Sequence, residues 1–375
     1  MKKINRKNFL KKTVLGAVAL STVATACGNE AAQTNAGGAP AINVGKKYRW
    51  KMVTTWPPNY PIIGEGLEEM AKWIEEMSSG RMKIKIYGGG ELVPPLESFD
   101  AVSSGTAEMG HGGAYYWAGK APAAQFFASV PFGMNAQQMN AWLLSGSGLE
   151  LWRELYAKFN LVPFPCGNTG VQMGGWFNKE INSLADLKGL KMRIPGFGGK
   201  VLAKAGGSPV LAPGSELYTN LERGVIDATE WIGPFHDYKM GFQDIAKYYY
   251  APGWHEAGTT LELFVNKPKF DTLPKDLQVI IETAALRYNT WMLSEIEAQN
   301  SLYLDKLKKE NNIDIRYFPD EVLDQLRLYT DEILAEITAS DPFAKKVYAS
   351  YNNFRNRAKG WAAVTEKIFY NKLQK

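Results

Sequence analysis

Three short stretches carry residues able to do chemistry together. They are Gln172 in Val171-Gln-Met-Gly-Gly-Trp-Phe177, Arg193 in Lys191-Met-Arg-Ile-Pro195, and Glu230-Trp231 in Ala228-Thr-Glu-Trp-Ile-Gly233. A guanidinium is planar and grips a carboxylate through two parallel hydrogen bonds. An amide oxygen and a carboxylate are ligands for a hard cation. Each residue also has a plainer reading. Arg193 could belong to an internal ion pair. Glu230 needs a partner, because an unpaired buried carboxylate is costly; that partner could be Arg193 or a cation. Gln172 could be a satisfied core amide. Placement favours a joint site: all three fall on predicted strands of one α/β unit, and polar groups on successive strand ends meet at one mouth, where such sheets bind ligands. Aromatic residues able to shape that mouth are Trp56, Tyr115, Tyr116, Phe197, Trp231, Phe235 and Trp254. Tyr115 or Tyr116 could donate from a first domain across a cleft.

Motifs for catalysis are sparse. His111, His236 and His255 are the three histidines, and no pair has the His-x-x-x-His spacing of a zinc-protease helix. Gly-x-Ser-x-Gly does not occur. Gly88-Gly-Gly90 and Gly196-Phe-Gly-Gly199 are not followed by Lys-Ser or Lys-Thr, so neither is a phosphate loop. His255-Glu256 with Glu230 remains available as an acid–base set. A sensor or scaffold lipoprotein on the same fold also stays open, since fold does not fix function.

The elements that must position these residues alternate between strand and helix patterns, which predicts an α/β fold. Residues 48–54 and 82–87 alternate as strands, and 64–79 carry Leu67, Met70, Ile74 and Met77 at helical spacing. A helix is expected over 98–104, a tight turn at 108–113 and a helix with a glycine break over 141–159. A second unit begins near Thr169, with strands expected at 171–177, 190–195, 210–213 and 226–231 and helices at 198–205 and 215–224. Ser183 with Asp186 three residues on is a helix-start signal. The strand at 261–266 returns to the first unit. From Pro274 the pattern is nearly all helical. Apolar residues Leu277, Ile281, Ala284, Tyr288, Met292 and Ile296 predict one helix over 276–310. At 1.5 Å per residue it spans about 50 Å, enough to brace two units. Further helices are expected over 321–338 and 341–372. The resulting division is lobe I at 46–168 plus 257–275, lobe II at 169–256, and a spanning helix with C-terminal helices over 276–375.

The first 26 residues read as an export signal. Lys2, Lys3, Arg6, Lys7, Lys11 and Lys12 precede a short apolar run, Val14 to Leu20, too short for a permanent membrane span. Ala24-Thr25-Ala26-Cys27 resembles a lipoprotein processing site, with Ala24 where Leu is usual; cleavage would make Cys27 the acylated N-terminus. Simple cleavage leaving a free Cys27 thiol is the alternative. Arg6-Lys7 stands where a twin-arginine signal has two arginines, leaving both the Tat and Sec routes open. Residues 27–45 are small and polar and read as a flexible tether. The whole chain has 43 Lys and Arg against 38 Asp and Glu. The leader holds six of the bases and none of the acids, so the mature chain is nearly neutral and offers no basic patch for nucleic acid. With Cys27 and Cys166 as the two cysteines, a disulfide scaffold is excluded. Cys166 is expected to be a buried small apolar residue.

From about residue 46 onward the chain resembles the periplasmic solute-binding subunit of a tripartite ATP-independent periplasmic (TRAP) transporter, the DctP family. The resemblance rests on Lys51-Met-Val-Thr-Thr-Trp-Pro57, Gly105-Thr-Ala-Glu-Met-Gly110, Asn182-Ser-Leu-Ala-Asp-Leu-Lys-Gly189 with Lys191-Met-Arg-Ile-Pro195, and Leu221-Glu-Arg-Gly-Val-Ile-Asp-Ala-Thr-Glu-Trp231. Gln172, Glu230-Trp231 and Trp254-His255-Glu256 are most similar to the TakP-like branch, which binds 2-oxoacids and 2-hydroxyacids. The resemblance implies a two-lobed binding protein with its ligand cleft between the lobes. It implies that Arg193 holds the substrate carboxylate; by position, Tyr115, Tyr116, Trp231 and Phe235 are the candidates to surround it. It further implies that Gln172, the Glu230 carboxylate and the Trp231 main-chain carbonyl bind a cation, Na⁺ or Ca²⁺, that the substrate also touches. Glu256 would complete the site as a further cation ligand or by meeting the substrate's second oxygen. Implied partners are a small organic acid (a 2-oxo or 2-hydroxy monocarboxylate before sugar acids, C4-dicarboxylates, sugar alcohols or aromatic acids), the small and large permease subunits, and a second copy in a homodimer. A cation also answers a physical problem: Glu230 and a substrate carboxylate would repel, and a cation between them removes the conflict.

Overall fold

Two mixed sheets organise residues 45–374, the part of the chain that the computed structural model describes. The expected export signal, most of the expected tether and Cys27 lie outside the described residues. The first sheet has the order β2-β1-β3-β10-β4. Its strands are β1 (Tyr48–Thr54), β2 (Met82–Tyr87), β3 (Met109–Gly112), β4 (Leu161–Asn168) and β10 (Thr260–Asn266). β1 pairs in parallel with β2 and β3, and β10 runs antiparallel between β3 and β4. The second sheet has the order β11-β9-β5-β8-β6-β7. Its strands are β5 (Gly175–Phe177), β6 (Lys191–Arg193), β7 (Ser208–Val210), β8 (Ala228–Thr229), β9 (Tyr248–Ala251) and β11 (Ile315–Tyr317). Here β5 is the strand running against its neighbours β8 and β9. Each sheet is the spine of one lobe of a two-lobed binding-protein fold.

The chain passes between the sheets three times. It leaves β4 through 169–174, returns from β9 through 252–259, and crosses again in a long helix. The first two passages bond to each other. Thr169 N–H donates to the Thr259 carbonyl (3.0 Å), Gln172 N–H to the Glu256 carbonyl (3.1 Å), and Gly253 N–H to the Gln172 carbonyl (2.9 Å). Gln172 and Glu256 are thus held side by side on the two connections, not on sheet strands.

Helices cover both sheets. They include α1 (Glu65–Met77), α2 (Ala136–Ser145), α3 (Gly148–Ala157), α4 (Gly196–Lys204), α5 (Pro234–Lys239), α6 (Lys275–Lys309), α7 (Asp320–Ser340) and α8 (Pro342–Val364). The glycine break expected in 141–159 separates α2 from α3. α2 starts with a capping box between Asn135 and Gln138. α6 has the expected length and braces both lobes. On the first lobe Tyr288 donates to the Ile63 carbonyl (2.8 Å) and Asn289 Oδ1 accepts from Gly167 N–H (3.0 Å). On the second, Asn300 Oδ1 accepts from Phe235 N–H (3.1 Å). α7 lies on α4 through Lys204 with Glu332 and Glu336, whereas α8 seats Tyr351 against Trp142 of the first lobe. α8 ends at Val364 rather than running to 372, breaking at Thr365 with φ −122° and ψ −92°.

Candidate functional site

Arg193 is the last residue of β6, and Glu230 follows directly on β8, its parallel neighbour. Both therefore emerge at carboxyl ends of adjacent strands, where α/β sheets bind ligands. β5 comes close to β8 at this point: a Cβ on Gly175 (φ +115°) would lie 2.5 Å from the Thr229 carbonyl oxygen. No side chain fits there, so glycine lets the Gln172 connection approach Glu230.

The polar groups converge in a fully buried cluster. Arg193 Nη1 pairs with Glu230 Oε1, its Nη2 donates to Tyr116 Oη (3.2 Å), and its Nε donates to the Ala212 carbonyl (3.2 Å). The guanidinium also stands 5.1 Å over the Trp231 ring. Burial pulls the Arg193 pKa down most, but the Glu230 charge together with Tyr116 and Tyr115 raises it overall, so the guanidinium stays charged. Gln172 Nε2 donates to Thr169 Oγ1 (2.9 Å) and Glu256 Oε2 (2.7 Å), and Thr259 Oγ1 donates to the same Glu256 oxygen. Burial, then the nearby Glu230 charge, pushes the Glu256 carboxyl well above the usual carboxylate range. His255 Nε2 lies 3.4 Å from Glu230 Oε2. One donor atom from each of Glu230, His255 and Glu256 falls within 4.8 Å of the others.

The donor set suits a hard cation. Gln172 Oε1 is buried and has no hydrogen-bond partner among the described residues. An orphaned buried acceptor costs free energy that a cation would recover. With the carboxylates of Glu230 and Glu256 it supplies the oxygen ligands that Na⁺ or Ca²⁺ takes.

Lobe I closes the site from the other side. Trp56, Tyr115 and Tyr116 line it together with Thr169, Gln172, Arg193 and Trp231, around a cavity of about 10 Å³. That is about the room one water needs, so the lobes stand closed. Tyr116 accepts from Arg193 instead of donating across the cleft. A Cβ on Gly196 (φ +60°) would stand 3.0 Å from the Tyr115 Cβ, so this glycine lets α4 meet the tyrosine. Trp231 Nε1–H donates to Tyr60 Oη (2.6 Å), an inter-lobe bond. Three aromatic candidates lie off the cavity. Phe235 packs 4.9 Å from Tyr303 of α6, Phe197 packs on Phe126, and Trp254 stacks on Phe132.

Several contributors escaped sequence reasoning. Tyr60 had no motif. His111 is buried, accepts from Trp56 Nε1–H at Nδ1 (2.7 Å) and donates from Nε2 to the Cys166 carbonyl (2.7 Å), so the neutral tautomer orients Trp56. Burial lowers its pKa to about 4, which keeps it neutral. Asp237 receives N–H bonds from Ile232 and Gly233 (3.1 Å each) and side-chain bonds from Trp176 (3.2 Å) and Tyr249 (2.8 Å). It clamps the turn after Trp231. Its signal was present: Pro234 at a helix start with an acid three residues later. Cys166 is buried as expected, 3.7 Å from Met70 Sδ, and burial pushes its thiol up.

The fold and this buried anion-and-cation arrangement define an extracytoplasmic solute-binding protein. Residues 52–341 match the DctP family, described as bacterial extracellular solute-binding protein, family 7, and the chain belongs to that family. The monocarboxylate 2-oxoacid-binding periplasmic protein of Nostoc sp. is 43% identical over 363 residues, covering 96% of this chain and 98% of the relative. A TRAP periplasmic solute-binding protein from Colwellia psychrerythraea, solved with bound calcium and pyruvate, is 46% identical. It superposes with a TM-score of 0.85 over 87% of this chain and 99% of the other. One from Pseudoalteromonas atlantica, with bound sodium and pyruvate, is 45% identical, with the same TM-score and coverage.

Proposed function

We propose that this protein captures a small 2-oxo or 2-hydroxy monocarboxylate of the pyruvate type together with a cation and delivers it to the membrane permease of a TRAP transporter. One observation carries the reading: a buried guanidinium meets an orphaned amide oxygen and two carboxylates at the junction of the lobes. The calcium–pyruvate and sodium–pyruvate states of the similar structures support it.

In this reading Arg193 takes the substrate carboxylate. Gln172 Oε1, the Glu230 carboxylate, the Trp231 carbonyl and Glu256 hold the cation. Arg193 and Glu230 satisfy each other in the closed structure and exchange partners on loading, Glu230 to the cation and Arg193 to the anion. A monovalent cation and a monocarboxylate add no net charge to the pair. The cavity of about 10 Å³ is too small for a three-carbon acid, so loading requires these groups to move apart. Tyr115, Tyr116 and Trp231 wall the ligand. Glu230 and Glu256 serve binding, not acid–base turnover with His255, so the ligand leaves unchanged.

Two features of the ends belong to the same proposal. Cys27 is acylated and anchors the protein to the membrane on its tether. The exposed apolar residues Trp361, Val364, Tyr370 and Leu373 after the α8 contacts meet a second copy in a homodimer.

Titration calorimetry of the purified mature protein with pyruvate, with and without Ca²⁺ or Na⁺, tests the central reading. Saturable binding that strengthens with cation is expected. No binding of any 2-oxo or 2-hydroxy acid under either condition overturns it.

A further inference from the structure

The proposed site has two ends. Gln172, Arg193, Glu230 and Glu256 form a polar end for the carboxylate, the 2-oxo oxygen and the cation. Much of the remaining cavity wall is apolar: Trp56, Ile63, Ile232 and Leu261, with the Trp231 ring beside them. An acid gripped by Arg193 therefore lays its tail against this wall. Each of the two indoles has one N–H, and each N–H is taken up by a residue behind the wall. Trp56 Nε1–H donates to His111 Nδ1 (2.7 Å), and Trp231 Nε1–H donates to Tyr60 Oη (2.6 Å). Neither His111 nor Tyr60 lines the cavity. The two indole rings meet edge on, with centroids 6.3 Å apart, and offer the tail carbon and no free donor.

We propose that His111 sets the tail specificity of the site: by holding the Trp56 N–H away from the cavity, it makes the wall accept an alkyl tail and reject a hydroxylated one. His111 reaches no ligand and acts through Trp56, so it is a positioning residue. Its Nε2 donates to the Cys166 carbonyl (2.7 Å), which fixes the tautomer that leaves Nδ1 an acceptor. Burial keeps the ring neutral, with a pKa of about 4, so the acceptor persists at neutral pH. Tyr288 packs edge on against the same ring at 5.8 Å and holds it in place. A tail hydroxyl laid against carbon gives up its water partners without replacement, which weakens it roughly 10- to 100-fold against a methyl group of similar size. Without His111 the indole N–H has no partner behind the wall and gains by turning to such a hydroxyl. The inference rests on the proposed function and adds which acids of that class the site takes.

The test compares 2-oxobutyrate with 3-hydroxypyruvate, which differ by a terminal methyl against a hydroxyl, with pyruvate as the reference. Calorimetry uses the full mature protein with Ca²⁺ present, and melting curves identify the variants that fold. The wild type is expected to bind 2-oxobutyrate at least about tenfold more tightly than 3-hydroxypyruvate. His111→Leu, which offers no acceptor, should cut that ratio to about threefold or less, and His111→Gln, which keeps an acceptor, should restore most of it. The double variant Trp56→Phe with His111→Leu has no indole N–H to release, so its ratio should return toward the wild-type value. A loss of packing alone would weaken both acids together and leave the ratio unchanged. With pyruvate bound normally by the wild type, three results overturn the role of His111 and leave the function standing. They are a wild type that binds the two acids equally, a His111→Leu ratio equal to that of the wild type, and a double variant no different from His111→Leu. A wild type that binds none of the three acids overturns the proposed function itself. If His111→Leu does not fold, His111→Phe, which also lacks an acceptor but keeps an aromatic edge against Trp56, takes its place under the same criteria.

Discussion

Arg193 and Glu230 leave adjacent parallel strands and turn toward each other, so two opposite charges are buried at the junction of the lobes with almost no solvent. A buried pair is held there by mutual attraction, and each charge becomes a liability once its partner is removed. The same two residues are therefore stable as a pair and receptive to an incoming salt of a cation and an acid.

The first prediction concerns the fork of Arg193. Arg193→Lys keeps the charge beside Glu230 but loses the bidentate geometry. A charged hydrogen bond contributes about 1.5–3 kcal/mol, so pyruvate affinity should fall roughly 100-fold. The melting temperature should move far less than in Arg193→Ala, which strands the Glu230 carboxylate. Calorimetric binding unchanged in Arg193→Lys would show that the guanidinium does not grip the acid.

Partner exchange makes a second, thermodynamic prediction. If Glu230 releases Arg193 only when a cation arrives, cation and acid must raise each other's affinity by the same factor. Pyruvate titrations at several Ca²⁺ concentrations, and Ca²⁺ titrations at several pyruvate concentrations, should give equal ratios. Glu230→Gln removes the charge that links the two ligands, so its pyruvate affinity should not respond to Ca²⁺. A variant that keeps the full cation response would separate Glu230 from the cation.

Much of this arrangement was legible because strand ends advertise themselves. Arg193 and Glu230 sit beside apolar strand residues, where a charge needs a reason. The long helix α6 was legible for the opposite reason: its apolar stripe runs at helical spacing from Leu277 to Ile296. β4 was not, because Pro163 and Pro165 argue against a strand. Yet β4 is the edge of its sheet, where missing N–H donors are tolerated. Gln172 looked like a strand residue, but Gly174 and Gly175 delay β5 and leave it on the connection between lobes. β11 is three residues long and completes its sheet only after α6 returns the chain, a long-range contact with no local signal. Phe235 was misplaced for a related reason: helix α5 turns its ring toward α6, and sequence alone gives no helix rotation.

A third prediction follows from a buried acid away from the site. Glu262 of β10 is fully buried; Trp117 Nε1–H bonds one oxygen at 2.6 Å, and the other has no partner among the described residues. Burial pushes its pKa up to about 8. The folded state therefore holds a proton that the unfolded chain has lost above its ordinary value of 4.5. Stability is complete below that value and falls as pH rises, levelling off only past about 8. Asp237, raised to about 7 by burial, acts in the same direction. Melting temperature should drop between pH 5 and pH 8.5 by the equivalent of a few kcal/mol. Glu262→Gln, neutral at every pH, should flatten much of that slope. A variant as pH-sensitive as the wild type would place the titration elsewhere.

The fourth prediction separates closure from ligand contact. Tyr60 of lobe I accepts from Trp231 of lobe II at 2.6 Å, and His236 Nε2 meets the Pro61 carbonyl at 3.1 Å. Both bonds exist only when the lobes are together, and a ligand can shift the equilibrium only by its preference for that closed form. Tyr60→Phe leaves the ring stacked on His236 and removes the hydroxyl, which accepts from Trp231 and makes a long, weak bond to the His236 carbonyl at 3.5 Å. Losing one net hydrogen bond costs about 1 kcal/mol, so the closed population and the apparent pyruvate affinity should fall roughly fivefold. The cation dependence should be unchanged, because Tyr60 touches neither ion. Small-angle scattering of the variant should show a larger radius of gyration without ligand and the wild-type radius at saturating pyruvate. An unaltered radius together with unaltered affinity would mean that this bond does not hold the lobes closed.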